Sequence, residues 1–113
     1  MSRYIATRAI RGAHTVVKDF DDQLGRALAE KGPETPVAFP NTAYHIPLIL
    51  GMTGRAVEKL GDLGPILERA KGLLHPMPAD SHWLPYLGET LDAGMATLMA
   101  EEGIECIRFL YGE

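Results

Sequence analysis

Four histidines, a knot of aspartates, one cysteine and a set of turn glycines are the residues here that could do chemistry. The histidines are His14, His45, His75 and His82. No two stand four apart, so the pair that binds zinc from one helix face is missing. His75 and His82 are seven apart across a proline-rich stretch, and no carboxylate or thiolate near them completes a ligand set. They read as surface or interface histidines. Asp19, Asp21 and Asp22 surround Phe20. Paired carboxylates can share acid–base work, but no partner group is visible in the sequence, and a solvated helix face is the simpler reading. Cys106 is the single cysteine. A reactive thiolate needs a neighbouring base or a helix N-terminus, and Cys106 falls late in an expected helix, where the dipole opposes negative charge. It reads as a small packing residue. Gly51, Gly54, Gly61 and Gly64 lack the Gly-Lys-Ser/Thr ending of a phosphate loop and the strand that precedes one. They read as turn glycines.

The elements that must carry these residues are helical. From Tyr4 to Lys31, apolar residues recur at Ile5, Ala9, Ala13, Val16, Phe20, Leu24 and Leu28. Steps of three and four place them on one helical face. Gly32-Pro33 ends the run. Gly12 and Gly25 lie inside it. Each costs about 1 kcal/mol against alanine, which suggests that a neighbour packs closely there. Pro33, Pro36 and Pro40 keep the next stretch extended. Thr42 and Thr53 are caps for two short helices, the first interrupted by Pro47. Asp62 is the expected N-cap of a further short helix, with Pro65 in its first turn and a stripe of Ile66, Leu67, Ala70 and Leu74. A last long helix is expected from Ser81, with the line Leu84, Leu87, Leu91, Met95, Leu98, Ile104, Ile107 and Leu110, bent at Gly103. Val37-Ala38-Phe39 is too short and too bounded by proline to read as a strand. The expected fold is all-α: a compact bundle of two long helices and about three short ones with proline-rich loops, forming a single domain over residues 1–113.

Composition narrows the function. With 113 residues and 46% apolar content a packed core is affordable. The formal net charge of −4 and the scattered basic residues argue against a nucleic-acid surface. No apolar run is long enough to span a membrane, and the start, Met1-Ser2-Arg3-Tyr4, lacks the apolar core of a signal peptide. One cysteine excludes an intrachain disulfide or an iron–sulfur cluster held by this chain alone. A cytoplasmic setting fits.

The most distinctive stretch runs from Pro40 to Leu67. It contains Pro40-Asn41-Thr42-Ala43-Tyr44-His45-Ile46-Pro47 and Lys59-Leu60-Gly61-Asp62-Leu63-Gly64-Pro65-Ile66-Leu67. With Gly32-Pro33 and Pro36-Val37 before it and Ala93-Gly94 to Leu110 after it, this pattern resembles the N-terminal region of the bacterial acetyl-CoA synthase subunit. That subunit belongs to the bifunctional carbon monoxide dehydrogenase/acetyl-CoA synthase complex. The match runs from about Arg11 to Leu110. Asn41 stands where the family usually has aspartate, Gly103 where isoleucine is usual, and residues 74–85 match loosely.

The resemblance implies a docking piece without the metal site. The family's nickel–iron–sulfur cluster is held by cysteines in a C-terminal domain, so no cofactor is expected in this domain, and this piece alone lacks the catalytic ligands. The implied partners are the carbon monoxide dehydrogenase subunit and the remaining domains of acetyl-CoA synthase. The helical region would pack on the dehydrogenase and help enclose a carbon monoxide tunnel, in the reductive acetyl-CoA pathway of carbon fixation. The interface or tunnel candidates are Tyr44, His45, Ile46, Pro47, Gly12, Ala13, Ala96 and Ala100. The chain would be a fragment or N-terminal piece of a larger subunit, and the isolated domain could pair with itself through its bare docking face. The alternative is a stand-alone helical adaptor or regulator that reuses the domain.

Overall fold

The computed structural model describes residues 3–37, 57–75 and 87–112. The two short helices expected around Thr42 and Thr53, and the first residues of the last helix from Ser81, lie outside them. The described elements are helix α1 (Arg3–Lys31), a 3-10 turn (Leu60–Asp62), helix α2 (Leu63–Gly72) and helix α3 (Leu87–Leu110). No strand forms among the described residues. Instead a single antiparallel bridge joins Pro36 to Lys59. It is held by Val37 N–H donating to the Glu58 carbonyl at 3.1 Å and Leu60 N–H donating to the Thr35 carbonyl at 2.8 Å. The fold is all-α.

α1 buries Ile10, Ala13, Val17, Phe20, Leu24 and Ala27. The steps alternate between three and four, the 3.5-residue repeat of a helix packed along its length on another. The expected line is right at Ala13, Phe20 and Leu24. It is one residue off at three others: Ala9 is exposed, while Val16 and Leu28 are half-buried at the edge. The seam follows the bulkier Ile10 and Val17. Gly32 ends α1 in the left-handed region at φ 93°, where glycine carries no Cβ penalty. Its N–H donates to the Leu28 carbonyl at 3.0 Å.

α3 is the other half of the seam. Its buried face is Ala93, Ala96, Met99, Ala100, Ile104, Cys106 and Ile107. The expected line is corrected in its first half: Leu91 is 60% exposed and Leu98 is 40% exposed. Alanines occupy the inward face because α1 lies close to it. Gly103 does not break the helix, which is continuous from Leu87 to Leu110. Its missing side chain leaves space for Phe20. A Cβ there would lie 2.3 Å from Cζ of the Phe20 ring.

The contacts set the directions of the helices. Ile10 and Ala13 cluster with Ala93, Phe20 faces Gly103, and Glu30 meets Tyr111. α1 and α3 therefore run parallel. α2 runs back between them, since its end at Lys71 reaches Asp21 and His75 beyond it reaches His14. Leu63, Ile66, Leu67 and Ala70 bury its inner face. Each large apolar side chain buried here stabilises the fold by roughly 1.5–3 kcal/mol. Asp62 precedes α2, but its side chain makes no cap bond to that helix. Its carboxylate turns backward and accepts from the N–H groups of Glu58 at 3.0 Å and Lys59 at 3.2 Å. The extended residues before the turn expose two donors side by side, and these outcompete the helix start.

Candidate functional site

Two surface depressions and one polar tie stand out along the α1–α3 seam. The larger depression is a groove of about 540 Å³ lined by Ala9 and Gly12 of α1 and by Thr90, Gly94, Thr97, Leu98 and Glu101 of α3. Its floor is apolar because the two helices present small residues outward at the same level. A Cβ added at Gly12 or Gly94 would meet nothing within 4 Å. Among the described residues the expected close packing at Gly12 and Gly25 is therefore absent. Both glycines cost helix stability with no compensating contact inside the described chain. Leu98 on the groove wall is 40% exposed, and Leu91 one turn before Gly94 is 60% exposed.

The second depression, about 230 Å³, lies at the far end of the same pair of helices. Gln23, Arg26 and Glu30 of α1 line it, with Ile107, Arg108 and Tyr111 of α3 and its terminus. The Tyr111 hydroxyl donates to Glu30 Oε2 at 2.6 Å. That hydrogen bond, with burial and the carboxylate charge adding, raises the phenol above its ordinary range. The Lys31 ammonium lies 5.0 Å from the centroid of the Tyr111 ring.

The polar tie joins three helices. His14 Nε2 donates to the backbone carbonyl of His75. The His75 ring donates from Nε2 to Asp92 Oδ2 at 2.9 Å. Two histidines far apart in sequence thus clamp the end of α2 onto α1 and α3. This gives His14 and His75 a structural task. Among the described residues no group of three or more His, Cys, Asp or Glu side chains could hold a metal. His45 and His82 lie outside the described residues.

The other chemistry-bearing residues resolve simply. Asp21 pairs with Lys71 at 3.1 Å and Asp22 with Lys18 at 3.1 Å. The hydrogen bond from Lys71 to Asp21 holds the ammonium above its usual range. Asp21 is therefore a link between helices, and Asp22 an ordinary solvated partner. Cys106 is fully buried. Burial, with the nearby Glu105 charge, pushes its thiol up to about 11, the opposite of an activated nucleophile. Gly61 is a turn glycine with a packing reason, since a Cβ there would sit 3.1 Å from Cβ of Pro33. Glu102 was not singled out by sequence, yet it is 4% exposed. The adjacent pair Glu101-Glu102 reads as a solvent face, and only the packed helix shows that Glu102 turns inward.

The eight candidates from the sequence separate. Ala13, Ala96 and Ala100 are fully buried in the α1–α3 seam. Gly12 is exposed and lines the groove. Tyr44, His45, Ile46 and Pro47 lie outside the described residues.

Comparison with known proteins places this architecture. The family model described as carbon monoxide dehydrogenase subunit alpha N-terminal domain matches residues 21–110. The chain belongs to that family. It is 39% identical over 99 residues to the carbon monoxide dehydrogenase/acetyl-CoA synthase subunit alpha of Moorella thermoacetica. That match covers 88% of this chain and 13% of the relative. It is 30% identical over 105 residues to the acetyl-CoA decarbonylase/synthase complex subunit beta 1 of Methanocaldococcus jannaschii, covering 92% of this chain and 12% of the relative. The chain thus spans only about an eighth of the length of these relatives. The family match includes the second depression except Tyr111, and the whole groove wall on α3. Gly12 lies before its first matched residue.

Proposed function

We propose that this chain is a non-catalytic docking domain of a carbon monoxide dehydrogenase/acetyl-CoA synthase assembly, and that it docks through the α1–α3 groove. The observation that carries the proposal is the pair Gly12 and Gly94. Both sit mid-helix, on facing walls of one groove, with open space where a side chain would be. Helix interiors select against glycine by about 1 kcal/mol per position. Glycine on an outward face lets a second backbone approach closely. The exposed Leu98 and Leu91 beside the groove supply apolar contact for such a partner.

The catalytic chemistry of the relatives does not fit this chain. A nickel–iron–sulfur cluster needs several thiolates. Cys106 is the sole cysteine, buried, with its thiol held protonated. The residues present therefore hold no such group, and the domain contributes position rather than reaction steps. The partner we assign is the carbon monoxide dehydrogenase subunit, with the remaining domains of the synthase subunit adjoining.

A share in a gas tunnel is the finer part of this reading. Ala13, Ala96 and Ala100 fill the seam at full burial. In our reading a path for a small apolar gas therefore runs along the outer groove, closed over by the partner, and not between α1 and α3.

The test is a double substitution, Gly12→Leu with Gly94→Leu. Both positions have free space and leucine is a better helix former, so the fold keeps or gains stability while the groove is filled. Binding to the dehydrogenase subunit is expected to weaken at least about tenfold, the loss of roughly 1.4 kcal/mol. Unchanged binding by a folded double variant overturns the groove as the docking face.

A further inference from the structure

We propose that the cleft at the C-terminal end of the α1–α3 seam receives the carboxylate of an acidic side chain on the docked polypeptide, held between Arg26 and Arg108. The proposal rests on the docking reading and adds the chemistry of the partner. Gln23, Arg26 and Glu30 form one wall, and Ile107, Arg108 and Tyr111 the other.

Three observations support it. The two arginines come from different helices and line one cleft of about 230 Å³. Among the described residues neither guanidinium takes part in an ion pair or hydrogen bond, whereas Lys18, Lys59 and Lys71 all pair with carboxylates. The one acid in the cleft, Glu30, already accepts the Tyr111 hydroxyl.

Helix-end electrostatics explains only part of this. Arg108 lies in the last turn of α3, where a cation complements the dipole. Arg26 lies more than one turn before the end of α1, where that effect has faded. Its planar fork suits bidentate carboxylate recognition.

An amphipathic segment fits the geometry. The glycine groove and the arginine cleft lie on the same pair of parallel helices, one nearer each end. Apolar side chains of such a segment would lie in the groove. Its acid would reach the cleft. Ile107 gives the acid's methylenes an apolar wall.

The experiment is an NMR titration of the full chain at low salt, following the Arg26 and Arg108 Nε–H signals. Three probes are used: an amphipathic helical peptide with glutamate at one end, the same peptide with glutamine there, and inorganic phosphate. The glutamate peptide is expected to saturate, to move both arginine signals, and to bind about tenfold more tightly than the glutamine peptide. In Arg26→Gln/Arg108→Gln, with far-UV circular dichroism unchanged, that advantage disappears. Equal binding of the two peptides through Gly12, Gly94 and Leu98, with silent arginines, overturns the carboxylate site and leaves the docking groove standing. Phosphate that saturates the arginines as well as the glutamate peptide makes this a free-anion site and also overturns it. Failure of both peptides to bind overturns it too, while the docking reading is judged separately against the whole dehydrogenase subunit.

Discussion

Replacing Gly103 with alanine tests the packing of the α1–α3 seam at its tightest point. The new Cβ would stand 2.3, 2.4 and 2.9 Å from Cζ, Cε1 and Cε2 of Phe20, against an ordinary contact beginning at 3.4 Å. The ring must retreat by about 1.1 Å, the difference between 3.4 and 2.3 Å. It cannot move outward, because Phe20 is fully buried in a cluster with Val17, Leu24, Met99 and Ala100. Overpacking of this kind costs roughly 1–3 kcal/mol. Closeness on this scale falls in the upper part of that range. Helix propensity gives back about 1 kcal/mol for Gly→Ala. The net expectation is a loss of about 1–2 kcal/mol. For a chain of this size that lowers Tm by roughly 4–8 °C per kcal/mol.

Urea and thermal denaturation followed by far-UV circular dichroism measure the effect. Gly25→Ala is the internal control, since a Cβ there meets nothing within 4 Å. It should stabilise by about 1 kcal/mol. Adding Phe20→Leu to Gly103→Ala shortens the side chain that clashes. The double variant should then be more stable than the sum of the two single losses implies. A Gly103→Ala protein as stabilised as Gly25→Ala would refute the packing account of this glycine.

The remaining predictions concern individual polar groups, from the core to the surface. Cys106 should resist alkylation in the folded chain near neutral pH and react at once on unfolding, as read by mass spectrometry; rapid labelling of folded protein would contradict its burial. Its thiol is raised from 9.0 to about 11, so the folded state holds the proton more tightly than the unfolded state. Its effect on stability is nil below the unfolded value and becomes a loss of about 3 kcal/mol as pH rises from about 9 to 11. Cys106→Ala should flatten that alkaline loss. Asp92→Ala removes the acceptor of the His75 ring. Since both side chains are about a third exposed, the cost should be near 1 kcal/mol. A double-mutant cycle with His75→Ala should assign most of it to the pair. Lys71→Ala should cost little, with the loss shrinking in high salt, because its pair with Asp21 lies at the surface.

Much of the fold could be read from the residues. The 3.6-residue periodicity and the Gly32-Pro33 stop were enough to place α1, and Pro65 with Ile66, Leu67 and Ala70 was enough to place α2. The face of α3 was not legible in its first half. A hydropathy line favours Leu91 and Leu98 over Ala93, Ala96 and Ala100. Only a close parallel neighbour makes small residues the better inner face. Gly103 illustrates the same limit, because its use depends on a ring 83 positions earlier. Asp62 was placed correctly, but its acceptor role was assigned to the wrong donors, since the extended backbone before it competes locally. The family was legible as a resemblance carried by the residues from Gly32 to Leu67, and comparison with known proteins agrees. The candidate site was legible only in Gly12. Gly94 entered only as part of the Ala93-Gly94 stretch of the resemblance, and the cleft of Arg26 and Arg108 depends on two helices lying side by side in parallel. No sequence spacing within one helix reveals that.

The most direct test of the central claim is anaerobic calorimetry of the purified chain with the carbon monoxide dehydrogenase subunit, run beside Gly12→Leu/Gly94→Leu. The docking account predicts saturable binding by the natural chain and at least about a tenfold loss in a variant that melts no lower. A folded natural chain that does not bind, or a filled groove that binds equally well, would contradict it.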